Sequence, residues 1–175
     1  IVAAVSVSIG FFVGTPIGIV SGYIGGAADE LLMRVVDIWY SLPFLMVALV
    51  VVLILGQSFN VLLALLAVLA WAPAVRVVRG QTLQLKEMDY VALARIAGAS
   101  RVRLMGRHIF PGVLNTAVVI ATLQVGHLIV AEATLSFLGA GIPPPTPAWG
   151  VMISEGRDYI ATAWWVTFFP GAAIF

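Results

Sequence analysis

The sequence predicts an all-α protein, a polytopic bundle of membrane-spanning helices. Three observations lead there. Apolar residues make up 62% of the 175 positions and charged residues only 10%, against about 25% charged in an ordinary globular domain. Mean hydropathy is +1.10. The apolar residues are gathered into runs near the ~20 residues that a membrane helix requires. The chain has no cysteine, which excludes a disulfide framework, a thiolate nucleophile and a Cys-ligated metal.

Five apolar segments can be drawn. The first, Ile1–Gly22, lacks the basic start of a signal peptide and runs on into further spans. Gly10, Gly14, Gly18 and Gly22 recur every fourth residue in it, so they share one ridge, where two helix backbones can approach closely. The plainer reading is that glycine is simply common in membrane helices. The second segment, Leu42–Leu55, follows a charged helical stretch, Asp29–Tyr40. It reaches spanning length if its helix begins near Leu31 and carries Arg34 and Asp37 at its polar end. The third, Phe59–Val78, continues without a strong break to Leu85. At 1.5 Å per residue that helix is about 40 Å long and projects beyond a ~30 Å hydrocarbon core. The fourth is Gly112–Leu138, with Pro111 at its start. The fifth, Tyr159–Phe175, is short of a full span. Pro16, Pro43, Pro73 and Pro170 are read as kinks or starts, which membrane helices tolerate. Gly139–Gly150 contains four prolines and is read as an ordered cap or connector. Both ends of the chain fall in apolar runs, which reads as a fragment of a longer subunit.

The basic residues orient these segments. Arg76 stands at the end of the third segment and Arg79, Lys86, Arg95, Arg101, Arg103 and Arg107 follow it before the fourth, Arg34 lies between the first and second, and Arg157 alone falls between the fourth and fifth. The positive-inside rule puts the first two connections in the cytoplasm, including loop 79–110, and loop 139–158 outside. Trp39, Tyr40, Tyr159, Trp164 and Trp165 fit interface anchors or packed aromatics equally well.

The polar stretch after the third segment carries the most information. The chain turns near Lys86–Asp89. Tyr90 to Ala97 is helical, with acidic residues before it and Arg95 near its end, as the helix dipole favours. Gly98 can end it in the left-handed conformation. Ser100 can cap a second short helix.

Tyr90-Val-Ala-Leu-Ala-Arg-Ile-Ala-Gly-Ala-Ser100, followed by His108-Ile-Phe-Pro111, resembles the Glu-Ala-Ala loop of binding-protein-dependent ABC importer permeases. Aligned on Gly98, that triplet falls on Ala92, Leu93 and Ala94, so its Glu and one Ala are replaced. His108 and Phe110 replace the motif's Ile and Leu, and Pro111 is kept. This variant resembles the dipeptide/oligopeptide/nickel subgroup. Four further stretches resemble its second-type permease subunit: Gly22-Tyr-Ile-Gly-Gly26, Asp29-Glu-Leu-Leu-Met-Arg34, Ala131-Glu-Ala-Thr-Leu-Ser-Phe-Leu-Gly139 and Pro144-Pro-Thr-Pro-Ala-Trp-Gly150.

The resemblance implies a type I ABC importer permease core with a cytoplasmic coupling helix. Residues 1–175 then form one transmembrane permease domain, a fragment lacking a first span and the C-terminal end. It implies a bacterial or archaeal inner membrane and three kinds of partner: two cytoplasmic ATP-binding subunits, a second homologous permease, and an extracytoplasmic solute-binding protein. ATP and Mg would sit on the partners; no cofactor, metal or nucleic acid is expected on this chain. Tyr90, Val91, Ala94, Arg95, Gly98, Ala99, Ser100 and Pro111 would form the ATPase-coupling loop, with Ala94 and Gly98 letting the helix seat closely. The cargo would be di- or oligopeptides or nickel. A basic loop held by anionic lipid, an ATP-independent transporter or channel, and an ATP-coupled scaffold or sensor that moves no solute are the other readings.

Glu132 is an intramembrane carboxylate, a candidate for the translocation path or for a structural hydrogen bond. Gln124 and His127 are read as packed polar groups, because one His does not make a ligand set. The chain lacks Gly-x-x-x-x-Gly-Lys-Ser/Thr and every common hydrolase motif. It is read as a transport subunit with no ATPase site of its own.

Overall fold

A computed structural model describes residues 2–143 and 145–175. Ile1, which begins the first predicted segment, and Pro144, in the proline loop, lie outside the described residues. Every regular element among the described residues is helical. Three helices are long and apolar enough to cross a membrane: α1 (Val2–Ile24), α4 (Phe59–Leu85) and the continuous helix Arg101–Phe137. Pro16 and Pro73 sit inside α1 and α4 without ending them.

Three expectations are corrected. The second segment is not one helix from Leu31. It is α2 (Gly26–Ser41) followed by α3 (Phe44–Leu55), with Pro43 at the N-cap of α3. Proline disfavours helical geometry at its predecessor, and here Leu42 lies outside both helices although the apolar pattern runs on. The pair is bent by 81° at this break, the form of a broken span or of a re-entrant loop. Pro111 does not start the fourth segment either. Helix begins at α6 (Arg101–Arg103), passes through a π-helical stretch, Leu104–Ile109, and continues as α7 (Phe110–Phe137). The proline ring would collide with the carbonyl four residues back. Widening that turn to i→i+5 bonding, as in Phe110 N–H to Met105 O, lets the helix run through. Finally, the fifth segment becomes helical as α9 (Trp165–Ile174), not from Tyr159, and a further helix, α8 (Trp149–Gly156), follows the proline loop.

The chain divides into two compact units. One holds Ile1–Ser6, Leu42–Leu69 and Val125–Phe175. In it Gln57 Nε2 donates to Gly141 O at 3.1 Å, joining the turn before α4 to the proline loop. Gly141 packs on Ser136, and Gly150 on the Ala133 carbonyl and Ser136, so closely that neither leaves room for a Cβ. Gly156 lies against Thr167, where a Cβ would come within 2.5 Å of the hydroxyl.

The other unit holds Val7–Ser41 and Ala70–Gln124. Gly10, Gly14, Gly18 and Gly22 of α1 face α4. A Cβ on each would stand 2.6–2.9 Å from Ala70, Ala74, Val75 or Val78, and Arg79 or Thr82. Two buried clusters complete this unit. Val36, Ala72 and Val75 join α2 to α4. Ile19, Val78, Val91, Leu104, Ile109, Val113 and Ala117 gather α1, α4, α5 and the helix through α7.

Candidate functional site

The site is built on α5 (Asp89–Ile96). Asp89 in its first turn and Arg95 in its last both suit the helix dipole. Gly98 ends it at φ 82°, a conformation that costs a side-chain-bearing residue about 1–2 kcal/mol. Ala99 N–H then reaches Ala94 O at 3.0 Å and Gly98 N–H reaches Arg95 O at 3.0 Å. These two bonds make a Schellman motif, which satisfies the last carbonyls and reverses the chain. Ser100 Oγ accepts from Arg103 N at 3.4 Å and caps α6.

Val91 is fully buried in the second cluster and Ala94 packs half-buried on it. Burying a side chain of this size is worth about 1.5–3 kcal/mol, enough to seat a two-turn helix. Tyr90 donates to His108 O at 3.3 Å, closing the loop over the π stretch. The opposite face is open. Leu93, Ile96 and Val102 are 65%, 83% and 76% exposed. Of the predicted loop residues, then, Arg95, Gly98 and Ser100 are exposed and Tyr90 partly so, whereas Val91, Ala94 and Ala99 turn inward. Ala94 faces the chain's own core and not the open side. Pro111 is exposed on the long helix.

The seven clustered basic residues divide into two groups. Arg79 Nε and Nη2 donate to the two oxygens of Asp29, each at 2.6 Å, and Ser21 Oγ donates to the same carboxylate. Arg76 pairs with Asp37 and lies over the Tyr40 ring, 4.4 Å from its centroid. Lys86 Nζ donates to Gly22 O at 3.1 Å. These three are internal ties that hold α4 to α1 and α2. Arg95, Arg101, Arg103 and Arg107 are exposed and, among the described residues, form no ion pair. Exposed apolar side chains and cations without an ion pair among the described residues thus occur together on α5 and α6. The residues that sequence reasoning missed are Leu93 and Ile96 on the open face and the Asp29–Arg79 tie between α2 and α4. The inward positions of α5, Val91 and Ala94, are three apart, and one such interval does not mark the open face in sequence.

The remaining polar residues lie elsewhere. Glu132 belongs to the other unit, where Ser136 Oγ donates to its Oε1 at 2.5 Å. Gln124 Nε2 is buried with no partner among the described residues, whereas His127 is exposed and not packed. Among the described residues no group of three or more His, Cys, Asp or Glu is placed to hold a metal ion.

Known proteins with this pattern are membrane transport components. The family profile described as binding-protein-dependent transport system inner membrane component matches residues 14–175. The chain is similar to the glutathione transport system permease protein of Pectobacterium atrosepticum, 38% identical over 170 residues, 97% of this chain and 56% of that protein. It is similar to the dipeptide transport system permease protein of Bacillus subtilis, 36% identical over 97% of this chain and 53% of that protein. It is also similar to the oligopeptide transport system permease protein of Haemophilus influenzae, 38% identical over 90% of this chain and 51% of that protein. The chain thus spans about half the length of these curated relatives. It belongs to the family of inner membrane components of binding-protein-dependent transport systems, a multi-pass membrane protein of the ABC permease class.

Proposed function

We propose that the whole protein is a permease subunit of an ATP-driven importer of short peptides, and that α5 is the element through which ATP hydrolysis on partner subunits moves it. The observation that carries this reading is the exposure of apolar and basic side chains together on α5 and α6: Leu93, Ile96 and Val102 are open, and so are Arg95, Arg101 and Arg103. These apolar side chains would enter a cleft on an ATPase subunit, with the arginines setting the register against acidic groups. Val91 and the Schellman turn make α5 move as one body with α4 and the long helix, so closure of two ATPases would rock those helices and alternate access. A second permease completes the pore, and an extracytoplasmic binding protein delivers the solute. This chain then needs no ATPase site, cofactor or metal; ATP and Mg belong to the partners. The relatives described above are named for glutathione, dipeptides and oligopeptides. Peptides are therefore the preferred cargo over nickel.

The test places a single cysteine at Ile96, and a control at Tyr159, in the full-length subunit with other cysteines removed. Thiol crosslinking in native membranes should join Ile96→Cys alone to an ATP-hydrolysing protein, with a yield that changes with nucleotide. A reactive Ile96→Cys that captures no ATPase, with the ATPase present, would leave an ATP-independent transporter as the better reading.

A further inference from the structure

The unit that contains Glu132 has an open cavity of about 460 Å³ beside it. Its walls include Val125, Ile129, Ile142, Trp149 and Met152, and Glu132 is the one acidic side chain lining it. The carboxylate is held in place. Ile142 N–H donates to Ser136 Oγ at 3.2 Å, and Ser136 donates its own proton to Glu132 Oε1 at 2.5 Å. Ser136 is 2% exposed and fixed by the close approach of Gly141 and Gly150. Among the described residues no donor reaches Oε2. Arg157, the unit's basic side chain, is exposed and forms no ion pair among the described residues.

A carboxylate in an apolar wall is costly unless it is paired. Ser136 meets one oxygen and leaves the other open to the cavity. A single carboxylate does not make a metal site, and the apolar walls disfavour a small hydrated cation. The walls suit hydrocarbon, and an indole in the lining adds attraction for an organic cation. We propose that this cavity binds a primary ammonium carried on an apolar body, with Glu132 as the counter-ion and Ser136 as the residue that positions it. Under the importer reading, on which this identification of cargo rests, that group is the free amino terminus of the peptide in transit.

The binding test does not depend on transport. A single cysteine at Met152, which lines the cavity and is 41% exposed, is labelled with a maleimide in the full-length complex with other cysteines removed. The probes are phenethylamine and its N-acetyl derivative, equal in body and different in charge. Phenethylamine should protect at about tenfold lower concentration, the scale of one charged hydrogen bond. The preference should vanish in Glu132→Gln and shrink in Ser136→Ala. Equal protection by both probes in the otherwise unmodified protein overturns the proposal and makes the cavity an apolar site for lipid or hydrocarbon. Retention of the preference in Glu132→Gln overturns it as well. A complex that shows the preference but fails the Ile96→Cys crosslink would retain the site and lose the importer reading; the reverse outcome would do the opposite.

Discussion

The Asp29–Arg79 tie is the interaction whose removal should most damage the unit that holds Val7–Ser41 and Ala70–Gln124. Two parallel N–H···O bonds of 2.6 Å join the groups, and their side chains are 9% and 28% exposed. At a charge separation of about 4 Å and an effective dielectric of about 20, the attraction is about 4 kcal/mol. Most of that offsets the desolvation of the two ions, so the intact pair adds little net stability. Removing one partner is different, because the other is left charged and enclosed. Asp29→Asn should cost about 3–5 kcal/mol. Arg79→Met keeps the aliphatic stem and should fall at the lower end of that range, because Ser21 still donates to Asp29. The double variant leaves no unpaired charge and should cost at least 2 kcal/mol less than the sum of the singles. Denaturant unfolding of the detergent-solubilised complex, run as a double-mutant cycle, reads this difference. Single effects that add to within about 0.5 kcal/mol would refute the reasoning, since uncoupled sites behave that way.

Other changes test neighbouring parts of the argument. Ile96→Glu, at an 83% exposed position, should change stability by less than about 0.5 kcal/mol. It should still lower ATP-dependent uptake more than tenfold, as loss of a docking anchor does. Gly14→Val would bring a Cβ within 2.6 Å of Ala74 Cβ and 2.8 Å of Trp71 O. It should cost about 1–3 kcal/mol in thermal unfolding, whereas Gly126→Ala, with nothing within 4 Å, should be nearly silent. Gly98→Val meets no atom within 4 Å either, so its cost of about 1–2 kcal/mol is conformational, and Gly98→Asn should recover much of it.

The local structure of α4 to α6 was largely legible in the sequence. The reach of α4 to Leu85 follows from an apolar run with no strong breaker, and the ends of α5 and α6 follow from the chemistry of Gly98 and Ser100. Pro43, read as a kink or a start, does interrupt the apolar run and stands at the N-cap of α3. What failed was the reading of Pro111 as a helix start, because nothing in its neighbours announces a widened turn. The partners of Arg76, Arg79 and Lys86 were not legible, since they lie 39, 50 and 64 residues away in the chain. On α5, Ala94 and Leu93 are both apolar, and eight residues give too few turns to tell which of them faces outward.

The π stretch before Pro111 also acts as a splice. Each residue of an α-helix turns the chain by about 100°, so an extra residue in ordinary winding would rotate everything before it by more than a quarter-turn. A turn closed by i→i+5 bonds houses one residue more and still closes on itself. Arg101, Val102 and Arg103 therefore keep close to the heading that an uninterrupted α-helix would give them. The widened turn admits Pro111 without re-aiming the side chains that precede it.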